Sequence, residues 1–252
     1  MEFVLSVYES AFISASLRLN FYFNYEIKMD LFNKLIMMID ICVLNLNKFD
    51  ALDALNILPL EIRDYARDLK LERKRIEYIA SQWLRYKLLS ERSGVAITNL
   101  QFSKTSNGRP FLVNSMIDFN ISHTRDYVVI AIAKGQRVGI DVQTKKEKVD
   151  VLAIAKQYFA KSEYDLIAAK KGDSAQRDVF YWLWAYKEAS LKLTGQGIAN
   201  GLNRYVFELT ESGECKKKNT QENYYFHQQL DENTLLCLSF ERSNSKVRLN
   251  FL

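Results

Sequence analysis

Residues 180–192, reading FYWLWAYKEASLK, constrain the fold of this chain more than any other stretch. Their apolar and aromatic side chains recur at helical spacing, so one side of the helix must be buried against other elements. Glu188 and Lys192 stand at i and i+4 and share a face, with Trp184 one turn earlier. Gly195 and Gly197 close the helix, because glycine takes the left-handed cap with no Cβ clash. By itself this is an ordinary Glu–Lys helix pair, worth roughly 0.2–0.5 kcal/mol. Lys187 lies about 100° around the helix from Glu188 and reads as a secondary contact or a solvated charge.

The rest of the chain supplies strands and a second long helix. Residues 41–46 (ICVLNL) are rich in β-branched side chains, are bounded by Asn45, Asn47 and Asp50, and read as a strand. Pro59 sits where a helix can begin, and Ile62, Tyr65, Leu69, Ile76, Ile79, Ala80, Trp83 and Leu84 predict one helix over 61–90. The basic side chains between them, Arg63, Arg67, Lys70, Arg73, Lys74 and Arg75, form either a solvated face or a phosphate-binding rim. Residues 128–133 (VVIAIA) are almost continuously apolar, as in a strand buried on both faces. Lys134-Gly135 turns that strand, and residues 137–142 (RVGIDV) are expected to pair back on it as a hairpin with Asp141 at its far end.

Helices are expected at 151–160 and 162–169, the second capped by Ser162, and strands at 205–209, 224–229, 234–240 and 246–251. The last four predict an antiparallel sheet in the C-terminal third, with 211–221 as a polar loop. The fold class is α+β: two similar α/β halves related by a pseudo-twofold duplication, with mixed and antiparallel sheets packed against long helices. A doubly wound sheet is disfavoured, since no glycine-rich phosphate loop joins a strand to a helix. The expected division is an N-terminal extension over 1–36, an N-terminal half over 37–133 and a C-terminal half over 134–252.

Composition narrows the function classes. The 252 residues are 48% hydrophobic and 26% charged, as in a soluble globular protein. A net charge of +5, from 35 basic and 30 acidic residues, is too mild to indicate nucleic acid but suits an anionic small molecule or an acidic protein partner. With His123 and His227 the only histidines, a His-rich metal site is excluded. Cys42, Cys215 and Cys237 lack metal-ligand spacing and read as reduced thiols of a cytoplasmic protein. No apolar run reaches the ~18 residues of a membrane span, and no signal peptide is recognised.

Four small clusters carry the chemistry: Gly108-Arg109-Pro110, Asn120-Ile121-Ser122-His123, Gly139-Ile140-Asp141-Val142-Gln143, and 184–192. Each alone has a plain structural explanation, such as a turn, a loop histidine or a strand-end aspartate. In combination and order, GRP at 108–110, FNISHT at 119–124, VGIDVQ at 138–143 and WAYKEASLK at 184–192 resemble the 4′-phosphopantetheinyl transferases of the larger, single-chain Sfp-type class. The resemblance covers residues 38–250.

It implies transfer of the phosphopantetheine arm of coenzyme A to a serine of an apo acyl or peptidyl carrier protein, with release of 3′,5′-ADP. It further implies Mg²⁺, with Mn²⁺ as an alternative, held by Asp141, Gln143 and Glu188. Glu188, Lys192 and Asp141 match the catalytic positions. Arg75, Arg109, Ser122, His123 and Lys192 match positions that hold coenzyme A, with Arg73 and Lys74 as competitors for Arg75. Two departures stand out: Gln143 replaces a glutamate of the family pattern, and Arg109 replaces a lysine. The expected protein is a cytoplasmic monomer that binds neither nucleic acid nor membrane. The contrasting possibilities are a non-catalytic module that binds a carrier protein or coenzyme A, and a nucleic-acid binder using the basic stretch.

Overall fold

The computed structural model describes residues 37–197, 201–209, 215–217 and 223–252. Within them, Met38–Ser243 with Val247–Leu252 makes one compact unit. The chain begins with β1 (Met37–Asn45), α1 (Ala51–Asn56), α2 (Leu60–Asp68) and α3 (Glu72–Ser93). Then come β2 (Phe102–Lys104), β3 (Pro110–Leu112), β4 (Ile117–His123), β5 (Tyr127–Lys134) and β6 (Val138–Thr144). Helices α4 (Val151–Tyr158), α5 (Lys161–Ala168) and α6 (Asp173–Thr194) follow. The remaining strands are β7 (Phe207–Leu209), β8 (Cys215–Lys217), β9 (Tyr224–Gln229), β10 (Thr234–Phe240) and β11 (Ser245–Phe251). The α+β class expected from the sequence holds. The expected extension over 1–36 lies outside the described residues.

Two sheets stack face to face. One has the order β11-β1-β5-β4, the other β6-β10-β9. Successive strand residues point to opposite faces, and this period builds both sides of each sheet. Ile39, Ile41 and Val43 of β1 and Val129, Ala131 and Ala133 of β5 meet Val138, Ile140 and Val142 of β6 and Leu236, Leu238 and Phe240 of β10. The alternate residues of the first sheet, among them Cys42, Leu44, Val128 and Ile130, pack under Ile79, Ala80 and Leu84 of α3. Those of the second, Leu235 and Cys237, pack under Val179, Phe180 and Leu183 of α6. The order of layers is helix, sheet, sheet, helix. Each outer layer is led by a 22-residue helix ended by a left-handed glycine, Gly94 or Gly195.

Five details differ from the sequence-based expectations, the first being that α5 is capped at Ala160, whose N–H donates to Glu163, and not by Ser162. The single helix over 61–90 is two, α2 and α3, separated by extended Leu69 and Leu71. The rings of Tyr65 and Tyr78 are 4.8 Å apart, whereas thirteen residues of continuous helix would separate them by about 20 Å, so the chain must fold back there. Strands β5 and β6 do not form a hairpin. β5 is antiparallel to β1 on one side and β4 on the other, so no edge remains, and β6 pairs with β10. The last strand, β11, lies beside β1 in the first sheet. Helix α1 was not anticipated, although Asp50 caps it by accepting hydrogen bonds from the Leu52 and Asp53 N–H groups.

Candidate active site

The edge of β6 is satisfied by side chains, and this positions Asp141. Asp118, Asn120 and Ser122 project from one face of β4. Their side-chain oxygens accept the N–H groups of Val138 (2.8 Å), Ile140 (2.9 Å) and Val142 (3.3 Å). A ladder of side chains therefore does the work of a neighbouring strand. On the other face of β6, Gly139 lets α6 approach at backbone distance. A Cβ at that position would lie 2.1 Å from the Ala189 carbonyl oxygen and 2.3 Å from the Leu193 nitrogen. Helical spacing then puts Glu188 and Lys192, neighbours of those two residues, over Asp141.

Asp141 is 2% exposed and sits at the centre of a hydrogen-bond network. Its Oδ1 accepts from Lys192 Nζ (2.6 Å) and Ser122 Oγ (2.9 Å), and its Oδ2 accepts from Gln143 Nε2 (2.8 Å). Lys192 Nζ also donates to Ser122 Oγ at 2.8 Å, leaving one of its three hydrogens for a ligand. Glu188, 6% exposed, makes no ion pair among the described residues. Burial, and then the Asp141 charge, push its carboxyl up to about 7, while Lys192 pulls the other way. A cleft of about 560 Å³ opens over this group, with Ser122, His123, Asp141, Gln143, Glu188 and Lys192 among the residues that line it. Phe180, Tyr181 and Trp184 of α6 add an aromatic wall. A second cleft of about 370 Å³, bordered by Gly108, Pro110 and Gly195, shares Glu188 and Lys192 with the first.

At the rim, His123 Nδ1 lies 3.3 Å from Glu77 Oε1 of α3. Thr124, next in sequence, has a buried Oγ1 with no hydrogen-bond partner.

Two family models match, one described as the N-terminal part of 4′-phosphopantetheinyl transferase over residues 45–135, the other as the 4′-phosphopantetheinyl transferase superfamily over residues 137–245. The chain belongs to the 4′-phosphopantetheinyl transferase superfamily. Similar proteins include the 4′-phosphopantetheinyl transferase Sfp of Bacillus subtilis, 36% identical over 118 residues, covering 46% of this chain and 51% of that protein. The 4′-phosphopantetheinyl transferase psf-1 of Bacillus pumilus is 34% identical over 129 residues, 51% of this chain and 54% of that protein. The human L-aminoadipate-semialdehyde dehydrogenase-phosphopantetheinyl transferase is 29% identical over 157 residues, 58% of this chain and 49% of that protein. The chain spans about half the length of the curated relatives it matches.

Not every residue expected at the site of this superfamily member reaches it. Asp141, Gln143, Glu188, Lys192 and His123 converge on the cleft. Arg109 turns inward, with only 9% of its side chain exposed. It donates to both Asp118 oxygens (2.7 and 2.6 Å), to the Lys192 carbonyl (3.0 Å) and to the Val138 carbonyl (2.8 Å). Its cation is thus paired with Asp118 and caps the end of α6, while the residue also borders the second cleft. The Ser122 hydroxyl is likewise consumed, giving its hydrogen to Asp141 and accepting from Lys192 and Val142.

Arg75 lies about 200° around α3 from Glu77, away from the face that reaches His123. The competing residues are the ones directed there. Lys74 Nζ donates to Glu77 at 3.0 Å, and Arg73 lies 3.5 Å from Asp126 in the turn after His123. Lys187 is neither a secondary contact nor solvated. It is wholly buried, paired with Glu163 at 2.7 Å, and it donates to the carbonyls of Leu202 and Tyr205. Sequence reasoning missed Glu77, whose signal was a carboxylate three residues after Lys74 and four after Arg73 on the basic helix.

The donor set fits a hard divalent cation. Asp141 and Glu188 supply carboxylate oxygens, and the hydrogen bond from Gln143 Nε2 to Asp141 leaves its amide oxygen for the ion. A buried Glu188 with no cation of its own beside a second carboxylate has the electrostatics of such a site.

Proposed function

We propose that this protein transfers the 4′-phosphopantetheine arm of coenzyme A to a serine of an apo acyl or peptidyl carrier protein. The observation that carries the reading is the meeting of Asp141, Glu188 and Lys192 at the floor of one cleft, made by the close approach of α6 to β6 at Gly139. The names of the relatives support the same reaction. The serine Oγ attacks the phosphorus that carries the pantetheine arm. An Oγ–P bond forms, the bond to the bridging pyrophosphate oxygen breaks, and 3′,5′-ADP leaves. The serine proton passes to Glu188, a buried carboxylate with no ion pair of its own among the described residues. The remaining Lys192 hydrogen faces the oxygen on which charge develops. His123 binds the phosphates of coenzyme A, with Lys74 and Arg73 supplying positive charge from the first turn of α3.

Asp141, Glu188 and the Gln143 amide oxygen would hold Mg²⁺, with Mn²⁺ as a substitute. The bound ion would neutralise charge on the pyrophosphate oxygens.

The site is complete within one chain, which supports a monomer. Among the described residues, Cys42 is a buried free thiol, which supports a cytoplasmic location, and no helix is long and apolar enough to cross a membrane. The two family matches meet at residues 135–137, which supports division into an N-terminal and a C-terminal half near that point. One observation favours a non-catalytic binder: Gln143 stands where the family pattern has a glutamate, so the expected ligand set holds two carboxylates.

Intact-mass spectrometry separates the two readings. An apo carrier protein incubated with this protein, coenzyme A and Mg²⁺ should gain one phosphopantetheine, and the gain should vanish with EDTA or in Glu188→Ala. Measurable coenzyme A binding with no mass gain across fatty-acid, polyketide and peptide carriers would overturn transfer in favour of binding alone.

A further inference from the structure

We propose that Glu77 is a positioning residue for phosphate binding, holding His123 by its Nδ1 so that the ring meets a phosphate of coenzyme A as an imidazolium, through Nε2–H. The inference rests on the proposed function, and its basis is the geometry around His123. The ring is at the cleft rim with 48% of its side chain exposed, and Nδ1 is 3.3 Å from Glu77 Oε1. Glu77 is itself only 14% exposed and is held in turn by Lys74 Nζ, at 3.0 Å from Oε1 and 3.1 Å from Oε2. Lys74, Glu77 and His123 therefore form a chain from the first turns of α3 to the end of β4.

A histidine nitrogen that faces a carboxylate carries a hydrogen, which fixes the tautomer. In the neutral ring that leaves a bare lone pair on Nε2, which repels a phosphate oxygen. The ring must therefore gain a second proton to bind phosphate, and a carboxylate on its far side favours that charge. The charged groups facing His123 are Glu77 and Lys74 from α3, Lys192 from α6 and Asp141 from β6. Surrounding protein, Lys74 and Lys192 hold the ring below the ordinary imidazole value, and Glu77 and Asp141 oppose them. The free protein is thus neutral at His123 near pH 7.5, about one unit above the ordinary value. Binding of the phosphate then takes up about one proton.

The test combines ¹⁵N NMR of the His123 ring with calorimetry in buffers of different ionisation enthalpy, on wild type, Glu77→Leu, Glu77→Gln and His123→Ala. In wild type, the Nδ1–H tautomer should dominate without ligand, both nitrogens should be protonated with coenzyme A, and binding should take up about one proton. Glu77→Leu should shift the tautomer toward Nε2–H, lessen the uptake and weaken coenzyme A about ten-fold, as expected for loss of a carboxylate that faces an imidazolium. Glu77→Gln keeps an acceptor and should recover the wild-type tautomer. In the His123→Ala background, Glu77→Leu should have no further effect. An unchanged tautomer in Glu77→Leu, or the same weakening with His123 absent, would overturn the role of Glu77. If wild type fails to bind coenzyme A, the proposed function falls, while the tautomer of the unliganded ring still decides whether Glu77 holds His123.

Discussion

Glu188 and Gln143 show how burial and neighbouring charges shape single residues in this site. Glu188 is pushed from an ordinary glutamate value of 4.5 to about 7. Between those values the folded protein keeps a proton on Glu188 that the unfolded chain has released. Raising the pH through that window therefore removes stability, by about 3 kcal/mol across a shift of this size. Denaturation of the metal-free protein at pH 5 and pH 8 should reveal the slope, and Glu188→Gln should flatten it. Gln143 is the neutral member of the group, donating to Asp141 Oδ2. Gln143→Glu replaces that donor with a third carboxylate beside Asp141 and Glu188, so the metal-free protein should lose about 1–3 kcal/mol. Mg²⁺ should then bind roughly ten-fold more tightly, because affinity follows the charge of the ligand set. Mn²⁺ titration followed by electron paramagnetic resonance checks the second effect. An unchanged affinity would show that position 143 does not ligate the ion.

Helix α6 carries two of the three central side chains, and its placement depends on what touches it on either side. Against β6 the decisive residue is Gly139. Gly139→Ala would force α6 away from the strand, costing about 1–3 kcal/mol and parting Glu188 from Asp141. A lowered melting temperature together with a transfer rate reduced more than substrate binding is the expected outcome. On its other flank, Lys187 anchors α6 to Glu163 of α5 and to the carbonyls of Leu202 and Tyr205. Glu163 also accepts the Ala160 and Phe207 N–H groups. With both charges wholly buried, Glu163→Leu would strand Lys187 and should destabilise the protein by about 3–5 kcal/mol, measured by urea unfolding.

At the scale of the whole molecule, the two sheets are joined not by a shared hairpin but by side chains. Asp118, Asn120 and Ser122 hold the β6 edge, and Arg109 ties Asp118, Val138 and the end of α6 into one knot. Arg109→Ala would leave the half-buried Asp118 carboxylate without its cation, and two carbonyls would lose a donor. A loss of about 3–5 kcal/mol in urea unfolding is expected, with Arg109→Lys falling in between because one ammonium cannot reproduce the bidentate fork. A change confined to coenzyme A affinity with stability untouched would instead return Arg109 to the phosphate-binding role.

Most element types were readable from local pattern alone. A continuous apolar run located β5, short β-rich segments located β9 and β10, and helical spacing located α6, whose end Gly195 marked. The order of the motifs identified the family, and it named six of the residues that line the cleft. Strand pairing was not readable, because β5 and β6 are adjacent in sequence with matching apolar character, and only the presence of β1 and β4 on both edges of β5 sends β6 to β10. Nor was the direction of each polar side chain. Arg109, Ser122 and Lys187 look like ligands or surface charges until Asp118, Asp141 and Glu163, each at least nine residues away in the chain, arrive to neutralise them. Local spacing reports which face a residue is on. Whether its charge remains available to a substrate depends on partners that only folding brings within hydrogen-bond distance.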